Sequence, residues 1–470
     1  MNTVRERELF ENYRVSKAVF LLAFPTVVGQ IILVIYNMAD TFFVGLTGND
    51  AMLAAVTVCM PAFMFLSAIS NLFGIGGASV ISRALGARDK ERSRAAASFA
   101  LWGCLFTASF YAVLTFIFLD PFVDLLGGTD PAVHENSSQY MMCTVVLGGT
   151  VTSVGVLLSH LIRAEGRATH ASVGIALGGI ANIALDPLFM FVLLPAGHEA
   201  LGAAIATTLS NLLSLLFFLF ILHRIRGSSD LSFRFSRAIF RDSVPLAILS
   251  AGLPACIMTF LENVSYATLD KLMSLSGLSM QAGIGVAKKV NMLAHCIARG
   301  IAQGSLPLIG YSFASGNIKR MLASLRVSHW TSVGMATLCM AINLLFPRFL
   351  IGMFIREESP SLAYGIAFLR ILCVGAPFSA SAYTFISFFQ ATGEGKKSFC
   401  LAILRKGLVD IPLMFLLNNL LPIYGIVFAT PIADMLCCLT ANLVFSAYKK
   451  KLIGEPSGLR LKRTISGFLC

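Results

Sequence analysis

Charged residues are scarce in this sequence: they make up 13% of its 470 residues, whereas hydrophobic residues make up 56%. A soluble domain typically carries roughly 25% charged residues, which cover its water-facing surface. A chain with so little charge cannot cover such a surface, so the composition excludes an ordinary soluble protein. It predicts instead a protein whose solvent is largely lipid.

The common signatures of enzymes are also missing. The sequence has no Walker A loop, no zinc-ligand spacing and no G-x-S-x-G motif, so neither direct ATP drive nor hydrolase chemistry has support. Its eleven cysteines include no C-x-x-C pair, and only Cys437 and Cys438 are adjacent. We therefore expect reduced core cysteines, no cofactor and no enzymatic activity. A membrane-embedded enzyme or sensor would need a clustered set of catalytic residues or a soluble domain. The sequence shows neither, which disfavours this alternative.

Twelve apolar segments, separated by short polar clusters, dominate the chain. Each is about as long as the roughly 20 residues with which a helix crosses the hydrocarbon core. A charged segment precedes the first one and no small-residue cleavage site follows it, so we expect a retained helix rather than a signal peptide. The predicted spans are 18–45, 53–82, 95–119, 137–162, 168–194, 200–223, 245–275, 280–311, 327–349, 363–389, 398–421 and 423–448.

The basic residues lie on alternate connections between these spans. One side carries 29 of the 36 Lys and Arg, including four at 396–406, whereas the other side carries five, among them Lys288 and Lys289. The positive-inside rule then places both termini in the cytoplasm and makes the number of spans even. The net charge of +12 is expected to face anionic lipid headgroups rather than nucleic acid.

The second half of the sequence repeats features of the first. Ala23-Phe24-Pro25 corresponds to Gly252-Leu253-Pro254, 229 positions later, and the loop at 86–92 recurs at 314–320. These ordered matches predict an all-α membrane protein with twelve transmembrane helices in two six-helix bundles, related by a pseudo-two-fold axis along the membrane normal. Such repeats usually hold a substrate path at their interface and work by alternating access. The predicted divisions are an N-terminal half at 1–223, a cytoplasmic linker at 224–244, a C-terminal half at 245–450 and a cytoplasmic tail at 451–470.

Three polar residues in the predicted spans of the first half suggest a cation site. Asp40 lies about fifteen residues after Pro25, and Asn182 and Asp186 are four residues apart, so their side chains share one helix face. Pro187 frees a nearby backbone carbonyl. Such oxygen ligands suit a small cation, and because two close carboxylates resist double ionisation, the same group can instead carry a proton. The alternative is that both acids only accept helix–helix hydrogen bonds.

The second half does not repeat these acids in register. Glu262 follows Pro254 by eight residues and can serve a second cation, bind a cationic substrate or pair with Arg299 or Arg370. Asp270 and Asp410 each fall one position away from the equivalents of Asp40 and Asp186. Lys406 precedes Asp410 by four residues, which predicts a structural i,i+4 pair.

Taken in order, these features resemble the multidrug and toxic compound extrusion (MATE) family, prokaryotic type. The residues that carry the resemblance are Asp40-Thr41, the Gly-Ala-Arg-Asp-Lys-Glu-Arg loop and the stretch from Ala164 to Pro187. The resemblance implies an exporter of organic, mostly cationic compounds, driven by inward Na⁺ or H⁺, and it leaves open which ion is used. The alternative substrate is a lipid-linked saccharide moved by a flippase.

The resemblance also assigns residues. It implies an N-half cation site at Asp40, Asn182 and Asp186, with Thr207 as a further ligand. Some branches of the family use a glutamate at the position of Glu262 together with an acid in the tenth span, but 362–390 contains no Asp or Glu here. We therefore expect Glu262 and Asp270 to serve substrate or a second cation. We also expect a monomer in the bacterial inner membrane, in contact with lipid.

Overall fold

The computed structural model describes residues 8–48, 50–195, 197–235, 243–355 and 359–454. These residues form helices and their connections, with no strand among them. Parts of the predicted linker and tail, at 236–242 and 455–470, lie outside the described residues, as does the side chain of Thr41.

The α-helices are α1 (Val15–Leu46), α2 (Asp50–Gly86), α3 (Lys90–Ile117), α4 (Leu119–Leu126), α5 (Pro131–Met141), α6 (Gly149–Ala164), α7 (Ala168–Leu188), α8 (Glu199–Ile225), α9 (Val244–Ser276), α10 (Leu278–Ala314), α11 (Ile318–Leu345), α12 (Pro347–Gly352), α13 (Pro360–Val374), α14 (Ala376–Thr392), α15 (Gly395–Ile403), α16 (Ile411–Leu420) and α17 (Tyr424–Gly454).

The predicted spans coincide with these helices. Within the described ranges, seven helices are long and apolar enough to cross a membrane, and two bent pairs, α5 with α6 and α13 with α14, raise the number to nine. The remaining three spans are α10, α11 and the segment from α15 to α16, where polar and charged residues interrupt the apolar runs. More than half of the residues of α10 are buried against other helices, which explains how this helix can be less apolar and still be a membrane span.

The order of helices is the same in both halves. Long helices α1, α2 and α3 correspond to α9, α10 and α11, and each set is followed by a short helix and a bent pair. The fifth span of each half contains a π-helical segment, Phe189–Leu193 in the first and Leu404–Asp410 in the second. A single long helix, α8 or α17, then closes each half. This repetition confirms the predicted architecture of two six-helix bundles.

The two halves meet along two pairs of helices, α1 with α10 and α2 with α9. At Gly300 and Gly304 of α10, a Cβ atom would overlap the backbone of Val27 and Ala23 of α1, so the helices approach closely. Tyr311, near the end of α10, donates a hydrogen bond of 2.6 Å to the Glu11 carboxylate and stacks on Phe10 with ring centroids 4.9 Å apart. The halves are therefore joined at the end that carries the basic loops 86–92 and 314–320.

Small residues also explain close packing within the first half. The Gly174-x-x-x-Gly178 pattern of α7 faces α8, where a Cβ on Gly174 would overlap the Phe218 ring and one on Gly178 would overlap Ser214. The Ser214 hydroxyl donates to the Gly174 carbonyl at 2.8 Å. The ten cysteines within the described ranges are free, but not all of them are core residues as predicted, because Cys400 is exposed.

Candidate cation and substrate site

Asp40 lies on α1 at the wall of a small cavity inside the N-terminal half. Residues of α1, α2, α5 and α8 surround the cavity, which measures about 20 Å³ and has room for about one water molecule or small ion. Its lining consists of Tyr36, Asn37, Asp40, Val56, Met60, Phe63, Met64, Tyr140 and Thr207. The wall therefore combines one carboxylate with hydroxyl and amide groups.

Asn182, Asp186 and Thr207 form a buried hydrogen-bonded group beside this cavity. The Asn182 Nδ2 atom donates to Asp186 Oδ1 at 3.1 Å and to Thr207 Oγ1 at 3.3 Å. Asn182 and Asp186 are at most 1% exposed, and Thr207 is 7% exposed. Because Thr207 also lines the cavity of Asp40, the structure brings together all four residues of the predicted N-half site.

The helix that carries Asn182 and Asp186 changes its geometry immediately after them. Pro187 has no backbone N–H, so the carbonyl one turn earlier loses its usual helical partner. α7 ends at Leu188 and continues as the π-helical segment Phe189–Leu193. Segments of this kind are frequent at functional sites, and here the segment adjoins the two polar residues.

Three oxygen atoms of this site are buried and have no hydrogen-bond partner: Asp40 Oδ1, Asn182 Oδ1 and Asp186 Oδ2. Buried polar atoms are normally paired because an unpaired one loses its hydration without compensation. A small hard cation bound by these oxygens, or a proton on one carboxylate, would supply the missing partner. In the part of the chain that the structure describes, no group of three or more His, Cys, Asp or Glu side chains could hold a metal ion.

Glu262, the corresponding acid of the second half, has partners on both carboxylate oxygens. Arg299 Nη2 donates to Glu262 Oε2 at 2.7 Å and to the Tyr383 hydroxyl at 3.0 Å. The Tyr383 hydroxyl in turn donates to Glu262 Oε1 at 2.9 Å. Glu262 thus forms an ion pair with Arg299, one of the two partners proposed from the sequence, and it has no free oxygen.

Arg405 and Lys406 are buried, so the prediction that placed them with the basic residues of a cytoplasmic connection was wrong. Their side chains are 0% and 1% exposed. Arg405 Nε donates to Asp434 at 2.7 Å, and Lys406 Nζ donates to Asp410 at 2.8 Å. The two acids neutralise the bases, which is why both can lie inside the bundle. The predicted i,i+4 pair of Lys406 and Asp410 is present.

The cavity of Asp40 is not lined by Asp270, Arg370 or His295. Asp270 forms an ion pair with Lys288, and its side chain is 46% exposed. Arg370 is exposed on α13. His295 of α10 contacts the Ser379 hydroxyl at 2.9 Å. Tyr383, which joins Glu262 and Arg299, gave no signal in the sequence because it is one aromatic residue among many.

Two similar helical bundles with ionisable side chains buried between apolar helices define a membrane transport protein. Comparisons with known proteins identify the family. The MatE family model matches the chain at residues 25–188 and again at 254–416, which together are more than half of it. The chain therefore belongs to the MatE family.

Relatives and solved structures agree with this assignment. Multidrug export protein MepA of Staphylococcus saprophyticus is 28% identical over 452 residues, which cover 96% of this chain and 98% of the relative. Its counterpart in Staphylococcus aureus strain NCTC 8325 is 26% identical over 457 residues, covering 96% and 98%. An outward-facing multidrug resistance MATE transporter of the MOP superfamily superimposes with a TM-score of 0.85 at 25% identity, covering 94% of this chain and 98% of its own. A MOP superfamily transporter from Pyrococcus furiosus, described as having a binding pocket of reverse polarity, has a TM-score of 0.81 at 24% identity, covering 97% and 98%.

Proposed function

We propose that this protein exports organic, mostly cationic compounds by antiport against H⁺ or Na⁺, with the two halves alternating access to the sides of the membrane. Membership of the MatE family and the relatives named multidrug export proteins support export of drug-like molecules. The protein would act as a monomer in the bacterial inner membrane, with both termini in the cytoplasm. The basic loops at one end support that orientation.

The observation that carries the coupling is the set of unpaired buried oxygens on Asp40, Asn182 and Asp186. Neither acid of this site forms an ion pair within the described residues, although Lys289 is near enough to interact with Asp40. Such a site favours an exchangeable cation, because binding relieves the unfavourable burial of unpaired oxygens. The site stays empty when no cation can reach it, and it binds a cation weakly when one of its carboxylates is protonated. Occupancy can thus follow the ion gradient across the membrane.

The contacts between the halves support a cycle. The halves are joined at the end of the basic loops, where Tyr311 bonds Glu11 and Ser79 donates to the Gln390 carbonyl at 2.5 Å. This state would be closed toward the cytoplasm and open toward the outside. A cation from outside then occupies the N-half site and favours release of the substrate, and its passage to the cytoplasm resets the transporter.

Transport in liposomes tests this function. Purified protein is reconstituted, an inward Na⁺ gradient or an inward H⁺ gradient is imposed separately, and uphill movement of a fluorescent cationic dye is followed. We expect one gradient to drive transport and Asp40→Asn to abolish the drive, while the dye still binds. Asp120→Asn, at an exposed acid of α4, is the matched control and should transport normally. Undiminished gradient-driven transport by the Asp40 variant would refute the coupling mechanism.

A further inference from the structure

Lys289 of α10 carries a positive charge that forms no ion pair within the described residues. Its neighbour Lys288 is paired with Asp270 of α9 and lies 5.4 Å from the centroid of the Tyr266 ring of the same helix. Successive side chains of a helix point about 100° apart. The half-buried Lys289 therefore points away from the side of α10 that Lys288 directs toward α9.

The side of α10 that carries Lys289 is the side that packs against α1 of the N-terminal half. Cys296 and Gly300 follow Lys289 by seven and eleven residues, which places both within about 20° of its direction around the helix. A Cβ on Gly300 would overlap the backbone of Val27. Cys296 belongs to the apolar cluster that contains Val34 of α1. Lys289 therefore lies on the surface along which the two halves meet.

Lys289 also lies at nearly the same depth as Asp40. Gly300 of α10 lies against Val27 of α1, and Gly304 lies against the preceding turn of α1, so the two helices run antiparallel. Lys289 precedes Gly300 by eleven residues, which is about 16 Å along the helix. The same rise from Val27 leads to a position two residues before Asp40. At this distance the Lys289 charge acts on the Asp40 carboxylate, although the two side chains are not in contact as an ion pair.

A cation that enters the N-half site would meet this charge as well as the unpaired Asp40 oxygen. Like charges repel, and the repulsion grows as their separation falls, so Lys289 weakens the binding of a cation at Asp40. Lys289 belongs to the C-terminal half and Asp40 to the N-terminal half. The size of this effect therefore depends on how far apart the two halves lie at this depth, which is the quantity that alternating access changes.

We propose that Lys289 is a tethered counter-charge for Asp40, which competes with the coupling cation and displaces it when the halves close around the site. While the halves are joined at the basic loops, the ammonium stays apart from Asp40 and the cation binds. When they close at the opposite end, the flexible Lys289 side chain reaches Asp40, replaces the cation and favours its release to the cytoplasm. This inference concerns the regulation of the N-half site and rests on the proposed function.

Transport by charge variants of Lys289 tests the inference. Reconstituted protein moves a fluorescent cationic dye under an imposed inward Na⁺ gradient or H⁺ gradient, and the concentration of the driving ion that gives the half-maximal rate is measured. The variants are Lys289→Gln, which removes the charge, and Lys289→Arg, which keeps it. Lys271→Gln, at an exposed lysine of α9, is the matched control.

We expect Lys289→Gln to lower the half-maximal ion concentration about tenfold and also to lower the maximal rate, because the cation binds more tightly and leaves more slowly. A variant that merely disturbed the structure would lower the rate without tightening the binding of the ion. Lys289→Arg should stay within about threefold of the wild type, and Lys271→Gln should match it.

Chemical labelling of Lys289 gives a second readout that needs no ion gradient. Acetic anhydride reacts with the uncharged amine, and a nearby carboxylate slows this reaction because it favours the charged form. The labelling of Lys289 relative to Lys271 is measured in one sample of purified protein by peptide mass spectrometry. We expect Asp40→Asn to raise this ratio about threefold or more, whereas Asp120→Asn, at an exposed acid of α4, should leave it unchanged.

An unchanged or higher half-maximal ion concentration for Lys289→Gln would overturn the inference, as would a labelling ratio that Asp40→Asn does not change. If Lys289→Gln does not fold, the labelling ratio in Asp40→Asn decides the matter. If neither gradient drives transport by the wild type, the proposed function is refuted. A raised labelling ratio in Asp40→Asn would then still support Lys289 as the counter-charge of Asp40, whereas an unchanged ratio would overturn both proposals.

Discussion

Removing the charge of Asp434 should destabilise the protein far more than removing the charge of a half-exposed acid. Asp434 and Arg405 are both 0% exposed, and the Arg405 Nε atom donates to Asp434 at 2.7 Å. Asp434→Asn keeps an oxygen that can accept this hydrogen bond but removes the ion-pair partner of the buried guanidinium. The predicted cost is about 3 kcal/mol of the free energy of unfolding, at the low end of what breaking a buried ion pair costs.

Two other contacts of Arg405 keep the expected loss of stability at the low end of this range. Arg405 Nη2 also donates to the Ser379 hydroxyl at 2.6 Å, and the guanidinium lies 4.2 Å from the centroid of the Tyr383 ring. A desolvated cation–π contact is worth about 2 kcal/mol, and both contacts survive in the variant. They compensate for part of the attraction between charges, which is about 4 kcal/mol at the effective dielectric of a protein.

Denaturant titration in detergent micelles measures this cost, with unfolding followed by a thiol-reactive fluorophore that labels buried cysteines such as Cys437 as they become accessible. Asp270→Asn breaks the ion pair with Lys288, where the carboxylate is 46% exposed, and should cost less than about 1 kcal/mol. Replacing both partners, as Arg405→Met with Asp434→Leu, should recover most of the lost stability because no charge is left unpaired. A cost for Asp434→Asn no larger than that for Asp270→Asn would refute the reasoning.

The same titration checks two further predictions. Asp40→Asn should leave stability unchanged or raise it by about 1 kcal/mol, since its buried Oδ1 has no partner to lose; a loss comparable to that of Asp434→Asn would show that Asp40 is structural. Gly178→Leu should cost about 2–3 kcal/mol because a Cβ there would overlap Ser214, whereas Gly334→Leu, where nothing lies within 4 Å, should have little effect. Equal costs at the two glycines would contradict the packing argument.

The fold could be predicted from the sequence because lipid leaves few options: backbone polar groups must be hydrogen-bonded within the span, which favours helices, and most of the spans are long apolar runs. The pairing of Asn182 with Asp186 was predictable for a related reason, since residues four apart on one helix share a face. Thr207 joins them from α8, 25 positions from Asn182. Spacing along the chain gives no information on that contact, and only the resemblance to a family suggested it.

The buried bases of the second half show where sequence reasoning fails. The positive-inside rule counts Lys and Arg near the ends of spans but takes no account of partners. Arg405 is neutralised by Asp434, 29 positions later and on another helix, so its burial follows from tertiary structure alone. The sequence did indicate that Lys406 is buried, because Lys406 lies inside the predicted span 398–421 and precedes Asp410 by one helical turn. A basic residue within a span and with an acid at i+4 is better interpreted as buried.

The different partners of the buried acids explain why ion coupling would belong to the first half. Glu262, Asp410 and Asp434 are each paired with a basic side chain of the same half. A positive group attached to the chain cannot leave for the other side of the membrane, so the counter-charge of these three acids does not exchange with solution. Asp40 and Asp186 form no ion pair within the described residues and keep unpaired oxygens. In the proposed mechanism a cation from solution supplies their counter-charge, and a cation that exchanges with solution would link the state of the protein to the gradient.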